Sequence, residues 1–273
     1  MKRSAIEFKD DWLHSFRVYL VWARMIWLRH LVYRFNSIFN SLGSIFWVAG
    51  SLLMLNFIFQ KVRSLAGWDW HSMLVLYGVY NLWWGVMVAF FNGGLAINWR
   101  VRRGSLDKIM LWPGKVFFYA SMKFEPELLI HFLFGLIVLV AALIKSGLTI
   151  SISNLGPFIL LIFNSWLLVF FISIIFGATA FWFIENSYLT NLFWVFESLA
   201  KYPRQFFIPY KFLYLAVYTV LPVVFIAAVP TEVILGRPNW FLAAGSFLAT
   251  LVAAFLAQTV WRIGLRRYSG VSI

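Results

Sequence analysis

The chain has 273 residues, 62% of them hydrophobic and 12% charged, with a net charge of +13 and a mean hydropathy of +0.82. Soluble domains carry roughly 25% charged residues, so there is too little polar surface here to wrap a core in water, and the solvent must be lipid. Cysteine is absent, which excludes a disulfide framework and a thiolate metal site.

Lys2 and Arg3 open the chain, but Glu7, Asp10, Asp11 and Arg17 precede any long apolar run. No signal peptide is expected, and the N-terminus is expected to be retained. Residues 8–35 then read as a helix that lies in the membrane interface. Asp10, Arg17 and Arg24 share one face of the wheel, and Tyr19, Trp22, Ile26 and Tyr33 share the other. Threading Arg17, Arg24 and Arg29 through the bilayer centre would cost about 2.5–3.5 kcal/mol each. Laid flat, the arginines reach headgroups and the aromatics reach acyl chains. A soluble amphipathic helix docked on another subunit is the alternative.

A transmembrane helix needs about 20 apolar residues. Such runs occupy roughly 36–59, 73–97, 128–145, 157–183 and 240–261. Between 188 and 230 lies more apolar sequence than one span requires, interrupted at Tyr202-Pro203 and Pro209. The first span carries Ser37, Ser41, Ser44 and Ser51 on one side, and the last carries Ser246, Ala249, Ala253 and Ala257. Small residues at helical spacing let membrane helices approach closely, within the chain or against a second membrane subunit.

The basic residues set the orientation. Lys2, Arg3, Lys9, Arg17, Arg24, Arg29 and Arg34 precede the first span. Arg100, Arg102, Arg103, Lys108, Lys115 and Lys123 lie between spans two and three, and Arg262, Arg266 and Arg267 follow the last. These segments fall on one side of the membrane and hold most of the 23 Lys and Arg. The positive-inside rule makes that side the cytoplasm, so both termini are expected there. Anionic lipid headgroups suit the same charges. With no recognition motif beside them, nucleic-acid binding is not expected.

The polar stretch 98–127 contains Arg102-Arg103-Gly104-Ser105-Leu106-Asp107-Lys108-Ile109-Met110-Leu111-Trp112-Pro113. Ser105 is placed to cap a short helix through Leu106, Ile109 and Met110 that stops at Pro113. Such a helix would display apolar side chains beside positive charge, as a docking surface does. Further along, Glu185 and Glu197 flank or enter the fifth apolar region, with Lys201 and Arg204 close behind. Glu197 and Lys201 stand at i, i+4, the favourable orientation for a helical pair.

Catalytic signatures are missing. His14, His30, His71 and His131 have no metal-ligand spacing, and neither HExxH nor GxSxG occurs. No GxxxxGK followed by Ser or Thr is present, so any ATP would be bound by another polypeptide.

The stretch from Arg103 to Pro113 is similar to the G-x-L/F-D-x-x-L-L-x-P stretch of ABC-2-type (ATP-binding cassette) exporter permeases. Tyr202-Pro203, Leu221-Pro222 and Pro230 resemble their later pattern, and Trp261–Tyr268 resembles their basic tail. Trp112 departs from it, since many relatives carry a basic residue before the proline. The resemblance implies an all-α polytopic protein with six transmembrane helices. Residues 1–35 would form a cytoplasmic tail and elbow helix, and 36–273 a six-span domain in the cell (cytoplasmic) membrane. A coupling loop is implied at 98–127, with Arg102, Arg103, Gly104, Leu106, Asp107, Ile109, Met110, Leu111 and Pro113 as its ATPase contacts. A re-entrant hairpin is implied at 209–230, with Tyr202, Pro203, Pro209, Pro222 and Pro230 as gating residues. Implied partners are an ABC ATPase subunit, which binds ATP and magnesium while this chain holds no cofactor, a second permease copy or paralogue, and membrane lipids. Two placements of the fifth span stay open. Charge alone puts Lys201, Arg204 and Lys211 inside and makes 211–229 the span, whereas the family arrangement makes it 188–207. A membrane-embedded lipid-acting enzyme and a non-transporting membrane scaffold are the alternatives.

Overall fold

The computed structural model describes residues 12–32, 34–112, 115–147, 151–183 and 187–270. Asp10, Tyr33, Pro113 and Glu185, singled out above, lie outside the described residues. The described elements are helical, as lipid demands, because a helix satisfies its backbone hydrogen bonds within one segment. Five helical stretches are long and apolar enough to cross a membrane: Ser37–Lys61, Trp70–Arg102, Pro126–Ser146, Ile152–Phe181 and Trp240–Arg267. A bent pair, Lys211–Val220 and Val223–Ile234, makes a sixth if it counts as one span. The chain is an all-α polytopic membrane protein.

In chain order, α1 (Trp12–Val32) leads into α2 (Arg34–Lys61), the first span. The second is composite: α3 (Trp70–Val86), a π-helical turn at Met87–Phe91, and α4 (Gly93–Arg102). Two short helices follow, α5 (Ser105–Met110) and α6 (Val116–Ala120), before the third span α7 (Leu129–Ser146) and the fourth, α8 (Ile152–Ala178). Then come α9 (Ser187–Glu197), α10 (Lys211–Leu215), α11 (Ala228–Ile234) and the last span α12 (Trp240–Arg267).

Helices in lipid gain little from apolar burial and associate by close contact. Spans two and three cross where side chains are missing: a Cβ on Gly135 would meet the Leu82 backbone, and one on Gly85 the Phe132 backbone. Overfilling a packed contact costs about 1–3 kcal/mol. Gly135→Val should therefore lower the thermal midpoint in detergent, and an unchanged midpoint would show that this crossing is loose. The small-residue face of α12 packs within the chain against α8: Ser246, Ala253 and Ala257 are buried, and Asn164 Nδ2 donates to Ser246 Oγ at 3.1 Å. On α2 the serines instead border cavities, and Phe46, Trp47, Met54 and Phe57 are exposed.

Two apolar cores result. One fills the membrane body and runs from Trp68 through α3, α7 and α8 to α11. The other joins the ends of α4, α8 and α12 to α5 and α6. Helix α1 lies against this second core through Val18, Tyr19 and Trp22. That corrects the wheel reading, which sent these aromatics toward acyl chains. The Tyr19 hydroxyl donates to Lys123 O at 3.2 Å and its ring meets Phe118 edge-on, so the protein offers a hydrogen bond that hydrocarbon lacks. The outward row mixes Arg17 and Arg24 with Leu20, Val21 and Leu28.

Candidate functional site

The short helix α5 starts where Gly104 turns the chain at φ +66, a left-handed conformation that glycine adopts without strain. Gly104, not Ser105, occupies the cap position; the Ser105 hydroxyl donates back to Arg100 O at 3.3 Å. The helix then presents its two faces differently from the expectation. Leu106 is 0% exposed and Ile109 is buried with it among Ile97, Val101, Tyr119 and Ile174. The outward apolar side chains are Met110, Leu111 (82% exposed) and Trp112. A six-residue helix cannot display Leu106 while anchoring itself, because that side chain is the main apolar group facing the protein. Asp107 sits in the first turn, where an anion suits the helix end.

Charge surrounds this knob. Arg102 and Arg103 are exposed, and the Arg103 guanidinium lies 4.4 Å over the Trp99 ring. Arg100, read from sequence only as an orienting charge, is structural: its two terminal nitrogens donate to Tyr119 O at 2.6 Å and Met122 O at 2.8 Å. Those bonds tie the end of the second span to α6 and the segment after it. The tail past α12 also returns here. Tyr268 faces Asp107, and partial burial, with the Asp107 carboxylate adding to it, pushes its phenol up to about 12. Phe117 and Phe181 both pack edge-on against Trp261 of α12, at 5.5 and 5.6 Å. The knob is therefore fixed to the ends of three spans.

The region 187–234 is not one rod. Helix α9 ends at Glu197, a 3-10 turn covers Ser198–Lys201, and Tyr202-Pro203 runs extended before another 3-10 turn at Arg204–Phe207. Its start is joined to the second span's α4 end by Asn98 Nδ2 and Thr190 Oγ1 at 3.4 Å. Its continuation is joined to the opposite end of the body, where Trp68 Nε1 donates to Gln205 Oε1 at 3.0 Å. Residues 187–207 thus run the depth of the body. The following pair bends by 64° about Leu221-Pro222, and its far end returns to the Trp68 side: Arg204 Nε donates to Glu232 Oε1 at 2.8 Å, and the Arg237 guanidinium lies 4.3 Å over Trp68. Pro203 and Pro222 are buried at breaks, Pro209 is exposed in a turn, and Pro230 sits in the first turn of α11, where a missing N–H costs nothing.

Glu197 and Lys201 do not form an ion pair among the described contacts. Because the α-helix ends at Glu197 and a 3-10 turn follows, i and i+4 no longer share a face. The Lys201 ammonium lies instead 5.6 Å from the Tyr202 ring centroid, while its charge still acts on Glu197. Glu197 is 6% exposed and borders a cavity of about 550 Å³ between α2, α3 and α9. Nothing in the sequence marked that cavity.

Among the described residues, no group of three or more His, Cys, Asp and Glu could hold a metal ion. A protein-family model described as "ABC-2 family transporter protein" matches residues 45–272. No curated protein and no solved structure matches the chain.

Proposed function

We propose, from the premise that the chain belongs to the ABC-2 transporter family, that it is the permease half of an exporter powered by a separate ABC ATPase subunit. As a multi-pass member of that family it is a transport subunit rather than a catalytic enzyme. The observation that carries the coupling role is the apolar knob Met110–Trp112, exposed beside Arg102 and Arg103 yet rooted through Leu106 and Ile109 in a core shared by three spans. A surface that must transmit force needs an exposed grip and a rigid root.

In this reading ATP binding draws two ATPases together, and they move two knobs, one from each permease of a pair that is either two copies or a copy and a paralogue. The push reaches α4, α8 and α12 through the shared core and shifts the population between inward-open and outward-open states. The knob and both termini lie in the cytoplasm of a cell-membrane protein. Residues 187–207 form the fifth crossing and 209–230 a re-entrant hairpin opening outward, supported by the return of Glu232 to Arg204. The exposed row of α1 rests on lipid, its arginines at headgroups.

Leu111→Asp tests the reading. Placing a charge at the centre of an apolar contact should weaken ATPase co-purification by about tenfold or more, with membrane insertion and the thermal midpoint unchanged. Full co-purification and transport by that variant would remove the knob from the coupling path.

A further inference from the structure

The cavity beside Glu197 carries chemistry of its own. One oxygen of the carboxylate, Oε1, has no hydrogen-bond partner although the residue is 6% exposed. Tyr80 and Trp84 hydrogen-bond the carboxylate and the Lys201 charge acts on it, but a buried acceptor atom left unpaired is costly, so Oε1 marks a place where something else supplies the partner. Its neighbours Tyr80, Trp84 and Lys201 all line the large cavity, whereas the smaller pocket on its other side, toward Leu221-Pro222, offers no polar surface. The carboxylate therefore serves the large cavity.

The remaining wall combines the rings of Trp47, Tyr77, Tyr80, Trp84 and Trp194 with the uncharged polar side chains of Asn40, Ser44, Ser51, Asn81 and Ser198. Aromatic faces carry negative potential, so they attract cations and repel anions. A volume near 550 Å³ falls in the range that holds small organic molecules. One wall belongs to α2, whose opposite side is exposed. Lys201 is the internal rival for the carboxylate, but it is drawn off by the 3-10 turn and lies near Tyr202. His131, also on the wall, packs edge-on against Trp84 with ring centroids 4.4 Å apart.

We propose that this cavity is a binding site for an amphiphilic organic cation, with a protonated amine on the Glu197 carboxylate and the apolar body against the Trp and Tyr rings. The assignment deepens the transport reading, on which it rests for its meaning as a substrate site. The binding itself needs no ATPase.

The test uses the purified permease alone in lipid nanodiscs, with a dansyl-labelled alkylamine and its N-acetylated neutral analogue as probes. Binding is read as energy transfer from tryptophan. The wild type should prefer the amine by about tenfold or more. Glu197→Gln should abolish that preference while leaving the neutral probe's affinity unchanged. Lys201→Gln removes the competing charge and should widen the preference several-fold, an effect that a purely structural role for Lys201 does not produce. Equal binding of the two probes by the wild type, or a preference that survives Glu197→Gln, overturns the proposal. If Glu197→Gln does not yield monodisperse protein, the wild-type preference and its response to Lys201→Gln decide. Failure here leaves the ATPase co-purification result untouched, and loss of co-purification leaves this result untouched, so the two readings fall separately.

Discussion

Leu106→Asp should destroy the end of the protein that carries α5, not merely uncouple it. Truncating a fully buried leucine to alanine costs about 2–5 kcal/mol, and an aspartate adds the penalty of an unpaired buried charge. Leu106 is 0% exposed and sits in the core that joins α4, α5, α6, α8 and α12. The expected result is a steep fall in folded yield, seen as loss of the monodisperse peak in detergent. Ile109→Asp should behave the same way. Leu111→Asp, five residues on, should leave that peak intact and affect only the partner. The contrast separates root from grip: if Leu106→Asp purified normally, the helix would be a mobile loop with no transmission path into the spans.

The second large effect is expected at the other end. Glu232 is 3% exposed by side chain and accepts from Arg204 Nε at 2.8 Å and from Gln205 Nε2 at 3.0 Å. Gln205 in turn accepts from Trp68, and the Arg237 backbone N–H donates to Glu232 O at 2.9 Å. One carboxylate thus holds the bent pair, the end of the 187–207 segment and the connection between α2 and α3 together. Removing one partner of a buried pair costs about 3–5 kcal/mol; the partial exposure of Arg204 puts the expectation for Glu232→Ala at the lower end. Glu232→Gln keeps an acceptor oxygen for Arg204 and Gln205 and should lose much less. Thermal unfolding of both variants decides, and equal stability of the two would mean that only the charge matters and the hydrogen bonds contribute nothing.

The two predictions bear on what was legible in the residues. The spans at 36–59, 73–97, 128–145, 157–183 and 240–261 were readable because lipid imposes a length and a composition that any window of sequence displays. The short helix before Pro113 was readable for a similar local reason, from a serine near its start and a proline at its end, although Gly104 and not Ser105 holds the cap position. Which of its side chains faced the protein was not. Leu106 and Leu111 are alike as residues, and only the position of α4, α6 and α8 beside the helix buries the first and exposes the second. The same blindness applied to α1, where the wheel found the aromatic row but not what it would meet, and to Arg100, whose charge was visible and whose two carbonyl partners were not.

Glu197 is the sharpest case. A spacing of four residues implied a pair with Lys201, on the assumption that the α-helix continued; it stops at Glu197, and the tighter turn carries Lys201 away. By itself the sequence determined that this is a polytopic α-helical membrane protein, because composition and apolar run length are properties of neighbouring residues. Only the tertiary structure decided which face of the short helix is buried and which is exposed, and that a carboxylate borders a cavity lined by aromatic and polar side chains. Those outcomes depend on groups far apart in the chain, brought together where glycines let helices touch.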